Sequence, residues 1–200
     1  MHQYMAKSFN IPKLTGISEK QVEEHLKLYA GYIKHTNLIA EKITELEKEE
    51  KDNSYMINEL SRRLGFEWDG MKLHEYYFHS IEDGAQPLSS DSTLGKKISE
   101  QYGSFERWLE SASKMCLTRG IGWVVLYYEP AEDRLIMKWI DEHQMGHLAG
   151  LQIIMVIDVW EHAYMVDYLP GEKKDYVKSY LSNINWKIVA KDFESLPNSE

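Results

Sequence analysis

The sequence predicts an α+β fold, in which an N-terminal helical hairpin domain is followed by a three-stranded antiparallel sheet with surrounding helices. In the first half of the 200-residue chain, apolar side chains recur every three to four residues, which is typical of helices. After Gly120 the pattern changes, because two segments rich in β-branched and aromatic residues flank a turn-prone stretch. We therefore divide the chain into a helical domain, residues 1–90, and an α+β domain, residues 91–200.

Three helices are predicted in the N-terminal domain. Ser18 followed by Gln21 resembles a capping box, so the first helix begins there. The segment Asp52 to Ser54 interrupts the apolar pattern and separates the first helix from the second. A third helix ends before Asp83-Gly84. The predicted spans are about 18–50, 54–64 and 71–81.

The C-terminal domain is predicted to combine strands and helices. Ser104 can cap a helix that begins at Phe105. Three strands follow, and their simplest arrangement is an antiparallel meander. Helical periodicity returns from Tyr176 to Leu181 and again after Trp186. The predicted strand spans are 123–128, 134–140 and 151–158.

Composition and charge exclude several classes of function. The net charge of −9 argues against nucleic acid as a partner, because a nucleic-acid surface needs a dominant basic patch. The sequence contains no run of about eighteen apolar residues, so we expect no membrane partner, and we expect no secretion signal because the first thirty residues lack its apolar stretch and small-residue cleavage site. We expect a cytoplasmic protein whose single cysteine, Cys116, packs on an apolar helix face.

Four residues have the pattern of a metal site. Asp158 and His162 lie four positions apart, directly after an almost unbroken apolar run that is typical of a buried strand. His25 and His74 each lie on the apolar face of a predicted helix, where an imidazole loses solvation unless it is paired. Three imidazoles and one carboxylate suit iron, manganese or zinc, whereas magnesium and calcium prefer oxygen ligands. The alternative for each histidine is a surface residue or a hydrogen-bonded residue of the core.

The segment Asp158 to Tyr164 resembles the signature of the iron/manganese superoxide dismutases, and the similarity extends from about Ile11 to Phe193. Further matching segments are 17–18, 74–78, 103–105, 120–123 and 183–186. The resemblance implies that the chain converts superoxide to dioxygen and hydrogen peroxide. It also implies one iron or manganese ion per chain, with a solvent molecule as fifth ligand. The four protein ligands would be His25, His74, Asp158 and His162.

The same resemblance assigns a residue that hydrogen-bonds the solvent ligand. In many iron members a glutamine four positions before the ligand histidine does so, but this chain has Gly70 there. His147 matches the position from which archaeal-type members, which also have glycine, supply an imidazole. We predict His147 for this role, with His143 and Gln144 as alternatives.

Tyr32 matches the gateway tyrosine that lies over the open face of the metal in similar proteins. The spacing from His25 to Tyr32 is seven residues, one fewer than is common in the family. Tyr29, one turn beyond His25, is therefore an alternative, since positions i+4 and i+7 share a helix face. We predict that Tyr32 and His147 are the catalytic residues beside the metal.

The resemblance also implies an assembly. Glu161 matches the residue that reaches across a two-fold interface to the ligand histidine of the partner chain, so we expect a homodimer or homotetramer. Because the chain is acidic and superoxide is an anion, local positive charge must attract the substrate. The candidates are Lys27, Lys34, Lys173 and Lys174.

Two other functions fit parts of the sequence. A non-catalytic structural relative of the same fold is favoured by the altered spacing and by Phe78 and Met165, which replace residues usual in the family. A non-haem iron oxygenase would need two histidines, one carboxylate and open sites for a cosubstrate, so the third histidine argues against it. We therefore expect an enzyme, an iron/manganese superoxide dismutase.

Overall fold

Two long helices form a hairpin at the start of the chain, which this computed structural model describes over residues 3–196. Helix α1 spans Glu19–Leu46 and helix α2 spans Ser54–His79. Ser18 caps α1 as predicted, because its side chain accepts the Gln21 backbone N–H at 3.0 Å. Both helices are amphipathic, and no helix within residues 3–196 has the length and apolar character that a membrane crossing requires.

Helix α2 continues through the position where the sequence predicted a break. The predicted end before Gly65 and new start at Met71 are wrong, because residues 54–79 form one helix. A glycine in a helix interior costs only about 1 kcal/mol. The burial of large apolar side chains farther along α2, such as Met71 and Phe78, offsets that cost.

Four helices lie in the C-terminal part of the described chain: α3 Thr93–Tyr102, α4 Phe105–Cys116, α5 Lys173–Asn183 and α6 Trp186–Glu194. The sequence predicted all of them except α3. Helix α3 begins after Ser92, whose hydroxyl accepts the Gly95 N–H at 3.1 Å, and it ends at Gly103, where φ is 86°. It is only ten residues long and buries just Leu94 and Ile98 among its large side chains, so it offers few apolar positions from which a helix could be predicted.

Three strands form one antiparallel sheet in the order β2-β1-β3. The strands are β1 Gly122–Glu129, β2 Arg134–Asp141 and β3 Gln152–Asp158. A meander would place β2 in the centre, so that prediction is wrong. Strand β1 is central because nearly all its side chains are buried, whereas β2 has many that reach solvent. The register pairs Trp123 with Asp158, so the central strand begins beside a predicted metal ligand.

The side chain of Tyr180 on α5 fixes α2 against the sheet. Its hydroxyl lies 3.0 Å from the Val156 carbonyl oxygen on β3 and 2.8 Å from the Ser80 hydroxyl just after α2. Its ring stacks on that of Tyr77 of α2, with a centroid distance of 4.4 Å. The two elements that carry predicted ligands, α2 and β3, are therefore held together by a third.

Candidate metal centre

The four side chains predicted as metal ligands converge between the helical hairpin and the sheet. His25 lies on α1, His74 on α2, Asp158 at the end of β3 and His162 in the 3-10 turn that follows. One nitrogen or oxygen atom of each lies within 4.8 Å of those of the others. Asp158 Oδ2 is 3.1 Å from Nε2 of both His25 and His162. The same oxygen is 3.7 Å from His74 Nε2, so the predicted cluster is confirmed.

The backbone around Asp158 determines where the last two ligands lie. The Asp158 Oδ1 atom accepts the Trp160 backbone N–H at 2.9 Å, and this bond starts the turn that returns His162 to the same carboxylate. Tyr176 of α5 donates its hydroxyl to the Asp158 carbonyl at 2.8 Å and thereby holds the end of β3. No sequence pattern indicated this role for Tyr176.

Gln21 of α1 holds the backbone of His162. Its side-chain nitrogen donates to the His162 carbonyl at 2.8 Å, and its side-chain oxygen accepts the Val166 N–H at 3.0 Å. Gln21 is buried, so water does not compete for these bonds. The capping pattern predicts only a helix start at Gln21, but its position one turn before His25 is a signal for this second role.

His74 provides the test of whether the cluster fits a metal ion. Its Nδ1 atom lies 2.6 Å from the Gly70 carbonyl oxygen, which can only accept, so Nδ1 carries the proton. Nε2 is then unprotonated, and within the described residues 3–196 it has no hydrogen-bond partner. A buried nitrogen without a partner costs free energy, which a bound cation would recover. Because first-row metals prefer imidazole with few carboxylates, the four residues fit one such ion.

Burial determines the charge of the cluster. It lowers the pKa of His25, although the nearby Asp158 acts in the opposite direction. It also lowers the pKa of His74 well below its usual value, and the proximity of His25 adds to the effect. For Asp158, burial alone would raise the pKa, but His162 and His25 hold it below the usual range. Burial therefore favours neutral imidazoles at His25 and His74 beside the Asp158 carboxylate anion, which is the state that metal binding requires.

His143 lies between Trp123 and Tyr32 beside the ligand cluster. Its Nδ1 atom accepts the Trp123 indole N–H at 3.0 Å. Since an indole nitrogen only donates, the proton of neutral His143 is on Nε2, which lies 2.7 Å from the Tyr32 hydroxyl. Burial lowers the pKa of His143 to about 3, so the ring is neutral at physiological pH. Its centroid lies 6.0 Å from that of His74.

Tyr32 packs between the ligand cluster and helix α2. Its ring centroid is 5.0 Å from that of His74 and 4.8 Å from that of His143. The ring also lies directly on Gly70, where an added Cβ would come within 2.7 Å of the Tyr32 ring. Glycine at position 70 is therefore what allows Tyr32 to occupy this place.

Tyr29, the alternative gateway residue, is engaged elsewhere. Its hydroxyl accepts the Lys7 backbone N–H at 3.1 Å and lies 3.4 Å from Glu75 Oε1. Its ring is buried and its centroid lies 6.5 Å from that of His74, farther than the ring of Tyr32. The hydroxyl of Tyr29 thus fixes the N-terminal segment on α1 and α2.

His147 lies behind His143. Its Nδ1 atom is 2.6 Å from the Tyr127 hydroxyl, and its Nε2 atom is 2.8 Å from the backbone carbonyl oxygen of His143. Of the two imidazoles considered for contact with the solvent ligand, His143 is the one whose ring lies against the ligand histidines. Gln144 has a buried side-chain oxygen that lacks a hydrogen-bond partner within the described residues. The catalytic role of His147 stays a prediction.

The positive charges near the site differ from those expected. Lys27 forms ion pairs with two glutamates of its own helix, and Lys173 is partly buried, with its ammonium 3.4 Å from a backbone carbonyl. Arg63, which the sequence analysis did not single out, lies 3.8 Å above the ring of Phe66, and that ring is 4.5 Å from His143. This guanidinium group is paired with Glu67 at 2.7 Å and lies one ring away from the site. The remaining predicted lysines, Lys34 and Lys174, are exposed.

The fold and the site define a mononuclear metalloprotein. A model of the family described as iron/manganese superoxide dismutases, C-terminal domain, matches residues 90–192. The superoxide dismutase [Fe] of Cupriavidus metallidurans is 35% identical over 90% of this chain and 90% of its own length. That of Methanothermobacter marburgensis is 33% identical over 90% and 89%, and that of Aquifex aeolicus is 32% identical over 97% and 92%. The chain therefore belongs to the iron/manganese superoxide dismutase family.

The metal-free protein should lose stability as the pH falls, and His143 should contribute to the loss beside His25 and His74. Its pKa is about 3 in the folded chain, against about 6.5 in the unfolded chain, so the unfolded chain binds more protons between these values. The stability that neutral His143 contributes is present above about pH 6.5 and is lost as the pH falls towards about 3. Between pH 7 and pH 5 the loss is about 2 kcal/mol.

Urea denaturation at both pH values measures this loss. His143→Gln cannot titrate, so its free energy of unfolding should fall less than that of the unmodified protein. His35→Gln, which changes an exposed histidine, is the control and should keep the original pH dependence. An unchanged pH dependence in His143→Gln would show that His143 is not held neutral by burial.

Proposed function

We propose that this superoxide dismutase works with one iron ion, held by His25, His74, Asp158 and His162. The observation that carries the proposal is the convergence of the four ligand atoms within 4.8 Å, with His74 Nε2 unprotonated and without another partner among the described residues. The similar proteins of Cupriavidus metallidurans and Methanothermobacter marburgensis are named for iron, which favours iron over manganese.

The bound ion and the surrounding side chains have different tasks in the reaction. The bound ion supplies the one-electron chemistry: one superoxide is oxidised to dioxygen, and a second is reduced and leaves, with two protons, as hydrogen peroxide. The residues of the chain must hold the ion, deliver protons and keep bulk water out. Rings of Trp123, Phe78 and Trp160 line the ligand histidines and support the last of these tasks.

We assign proton delivery to Tyr32. Its hydroxyl oxygen accepts the His143 Nε2–H, so its own proton is left to point away from His143. Burial raises the pKa of Tyr32, so the phenol keeps its proton until a strong base is present. The peroxide formed by reduction of the second superoxide is such a base, so Tyr32 can transfer one of the two protons to it, and solvent supplies the other.

His143 orients Tyr32 in this proposal and does not relay protons to it. A relay would require His143 Nδ1 to be reprotonated after Nε2 gave up its proton, but its partner there is the Trp123 indole N–H, which does not ionise. Tyr32 must therefore regain its proton from solvent. In this proposal we assign to His143 the position beside the ligands that was predicted for His147, because the His143 ring lies against the ligand histidines.

Metal-free protein reconstituted with iron should regain superoxide dismutase activity with one ion per chain. Asp158→Ala should weaken iron binding by more than about 100-fold, because it removes the anionic ligand. Asp91→Ala, at an exposed aspartate, is the matched control and should bind iron normally. Metal analysis and turnover measure both. Full activity with manganese and none with iron would exclude iron, whereas iron binding without turnover would support a non-catalytic relative.

Replacing Tyr32 by Phe should lower turnover and leave iron content unchanged. We expect a loss of roughly tenfold, below the upper range for a positioned acid, because water can supply some protons. Tyr29→Phe removes a hydroxyl from the same helix face and should keep turnover near that of the unmodified enzyme. Stopped-flow decay of superoxide measures both variants. If Tyr29→Phe loses activity and Tyr32→Phe does not, the two roles are exchanged.

We further propose that the chain forms a homodimer or homotetramer through the surface around Glu161. This residue is exposed and directly precedes the ligand His162. Three apolar side chains nearby, Met165, Val166 and Leu169, are 48%, 43% and 69% exposed, which favours an interface with a second copy. A carboxylate from the partner could then accept a hydrogen bond from His162.

Glu161→Ala should shift the assembly towards monomers, because it removes the group that is proposed to bond the partner chain. Sedimentation equilibrium at micromolar concentration measures the change, and we expect a dissociation constant raised about tenfold. Glu47→Ala, at an exposed position at the end of α1, is the control. A protein that is monomeric before any substitution would contradict the proposed assembly.

Two further assignments belong to the proposal. The division into residues 1–90 and 91–200 is supported by the family model, which begins at residue 90. A cytoplasmic location is supported by the single buried cysteine, Cys116, which has no partner for an internal disulfide.

A further inference from the structure

The segment that carries His143 is irregular. Residues 142–151 connect β2 to β3, and Glu142, Gly146 and Gly150 have positive φ values of 51°, 98° and 81°. Its backbone is held where Glu142 donates its N–H to the Ile121 carbonyl at 3.1 Å and where Asp141 and Met145 exchange backbone hydrogen bonds at 3.0 and 3.2 Å, but these bonds leave the His143 side chain free to turn. Because irregular segments open at low free energy, something must keep the His143 ring in place.

His147 provides that hold on the sheet side. A backbone carbonyl can only accept, so His147 Nε2–H donates to the His143 carbonyl over 2.8 Å. In neutral His147 the Nδ1 atom then accepts the Tyr127 hydroxyl proton over 2.6 Å. Tyr127 is 1% exposed and lies on the central strand β1, which is paired on both sides. The chain of bonds runs from the most rigid strand of the sheet to the peptide group of His143.

The contacts of the His143 ring leave little freedom. Nδ1 must meet the Trp123 indole while Nε2 meets Tyr32, which belongs to α1 in the other half of the chain. The second distance is 2.7 Å, and a hydrogen bond is lost when it lengthens by about 1 Å. A rotation of the His143 peptide that moved the ring by this amount would therefore break the contact to Tyr32.

We infer that His147 and Tyr127 are positioning residues of this enzyme: through the His143 carbonyl they hold the His143 ring against Trp123 and Tyr32. The inference rests on the role proposed above for His143 and Tyr32. It gives His147 a function one step removed from the metal, on the far side of His143.

Four variants of the full-length iron-loaded enzyme test the inference. His147→Leu removes both hydrogen bonds, whereas His147→Gln keeps an amide that can donate to the His143 carbonyl and accept from Tyr127. Tyr127→Phe removes only the bond to the strand. Tyr128→Phe is the matched control, because its hydroxyl is on the next residue of β1 but bonds Asp133, at 2.7 Å, on the turn to β2.

Two readouts are measured, backbone amide hydrogen exchange of residues 142–151 and the electron paramagnetic resonance spectrum of the oxidised iron. In His147→Leu we expect exchange about tenfold faster and an altered spectrum, because a lost hydrogen bond of ordinary strength changes an opening equilibrium by about that factor. Tyr127→Phe should show a smaller change of the same kind. His147→Gln and Tyr128→Phe should match the unmodified enzyme in both readouts.

Unchanged exchange and an unchanged spectrum in both His147→Leu and Tyr127→Phe would overturn the inference. Faster exchange with an unchanged spectrum would overturn the positioning role, because the bonds would then stabilise the segment alone. If His147→Leu does not fold, the inference is tested by Tyr127→Phe, which should show faster exchange and an altered spectrum, and by His147→Gln, which should match the unmodified enzyme. The exchange data do not depend on turnover. The positioning role of His147 can therefore be excluded while the proposed role of Tyr32 stands, and the role of Tyr32 can be excluded while the positioning role stands.

Discussion

The rest of the structure depends on the buried carboxylate of Asp158. It is fully buried, and its Oδ2 atom lies 3.1 Å from two imidazole nitrogens. An ionised carboxylate in an apolar interior costs several kcal/mol unless donors or a cation surround it. Its partners come from α1, from α2 and from the turn after β3, so both halves of the chain must be in place to compensate this charge. Metal binding and the packing of the helical hairpin on the sheet are therefore coupled.

Groups that can only donate or only accept determine the positions of the protons around this carboxylate. The Gly70 carbonyl places the His74 proton on Nδ1 and leaves Nε2 for the metal. The Trp123 indole places the His143 proton on Nε2 and directs it to Tyr32. Neither assignment depends on pH near neutrality, because burial keeps both rings neutral. The Tyr32 hydroxyl accepts a hydrogen bond from His143, so neither His74 nor His143 binds the Tyr32 proton.

The ligands could be predicted from sequence because His25 and His74 are polar residues on apolar helix faces, because Asp158 and His162 end and follow an apolar strand, and because the resemblance to the family assigns the same four residues. The continuity of α2 and the strand order could not be predicted, because tertiary burial outweighs the cost of Gly65 and selects β1 as the central strand. His143 and His147 lie four residues apart in an irregular segment, where periodicity carries no information about orientation. Only the contacts with Trp123 and Tyr32 distinguish them.

The short spacing from His25 to Tyr32 and the glycine at position 70 form one arrangement. Seven residues of an α-helix advance the chain by about 700°, so Tyr32 returns to within about 20° of the His25 direction, about 10.5 Å farther along α1. There its ring meets α2 one turn before His74, at Gly70, where even a Cβ atom would collide with it. A glutamine at position 70 is therefore incompatible with this placement of Tyr32. Because α2 cannot place a polar side chain at this point, the polar group beside Tyr32 is the His143 ring, which the irregular segment before β3 carries. How precisely the His143 ring is positioned therefore depends on how firmly that segment is held.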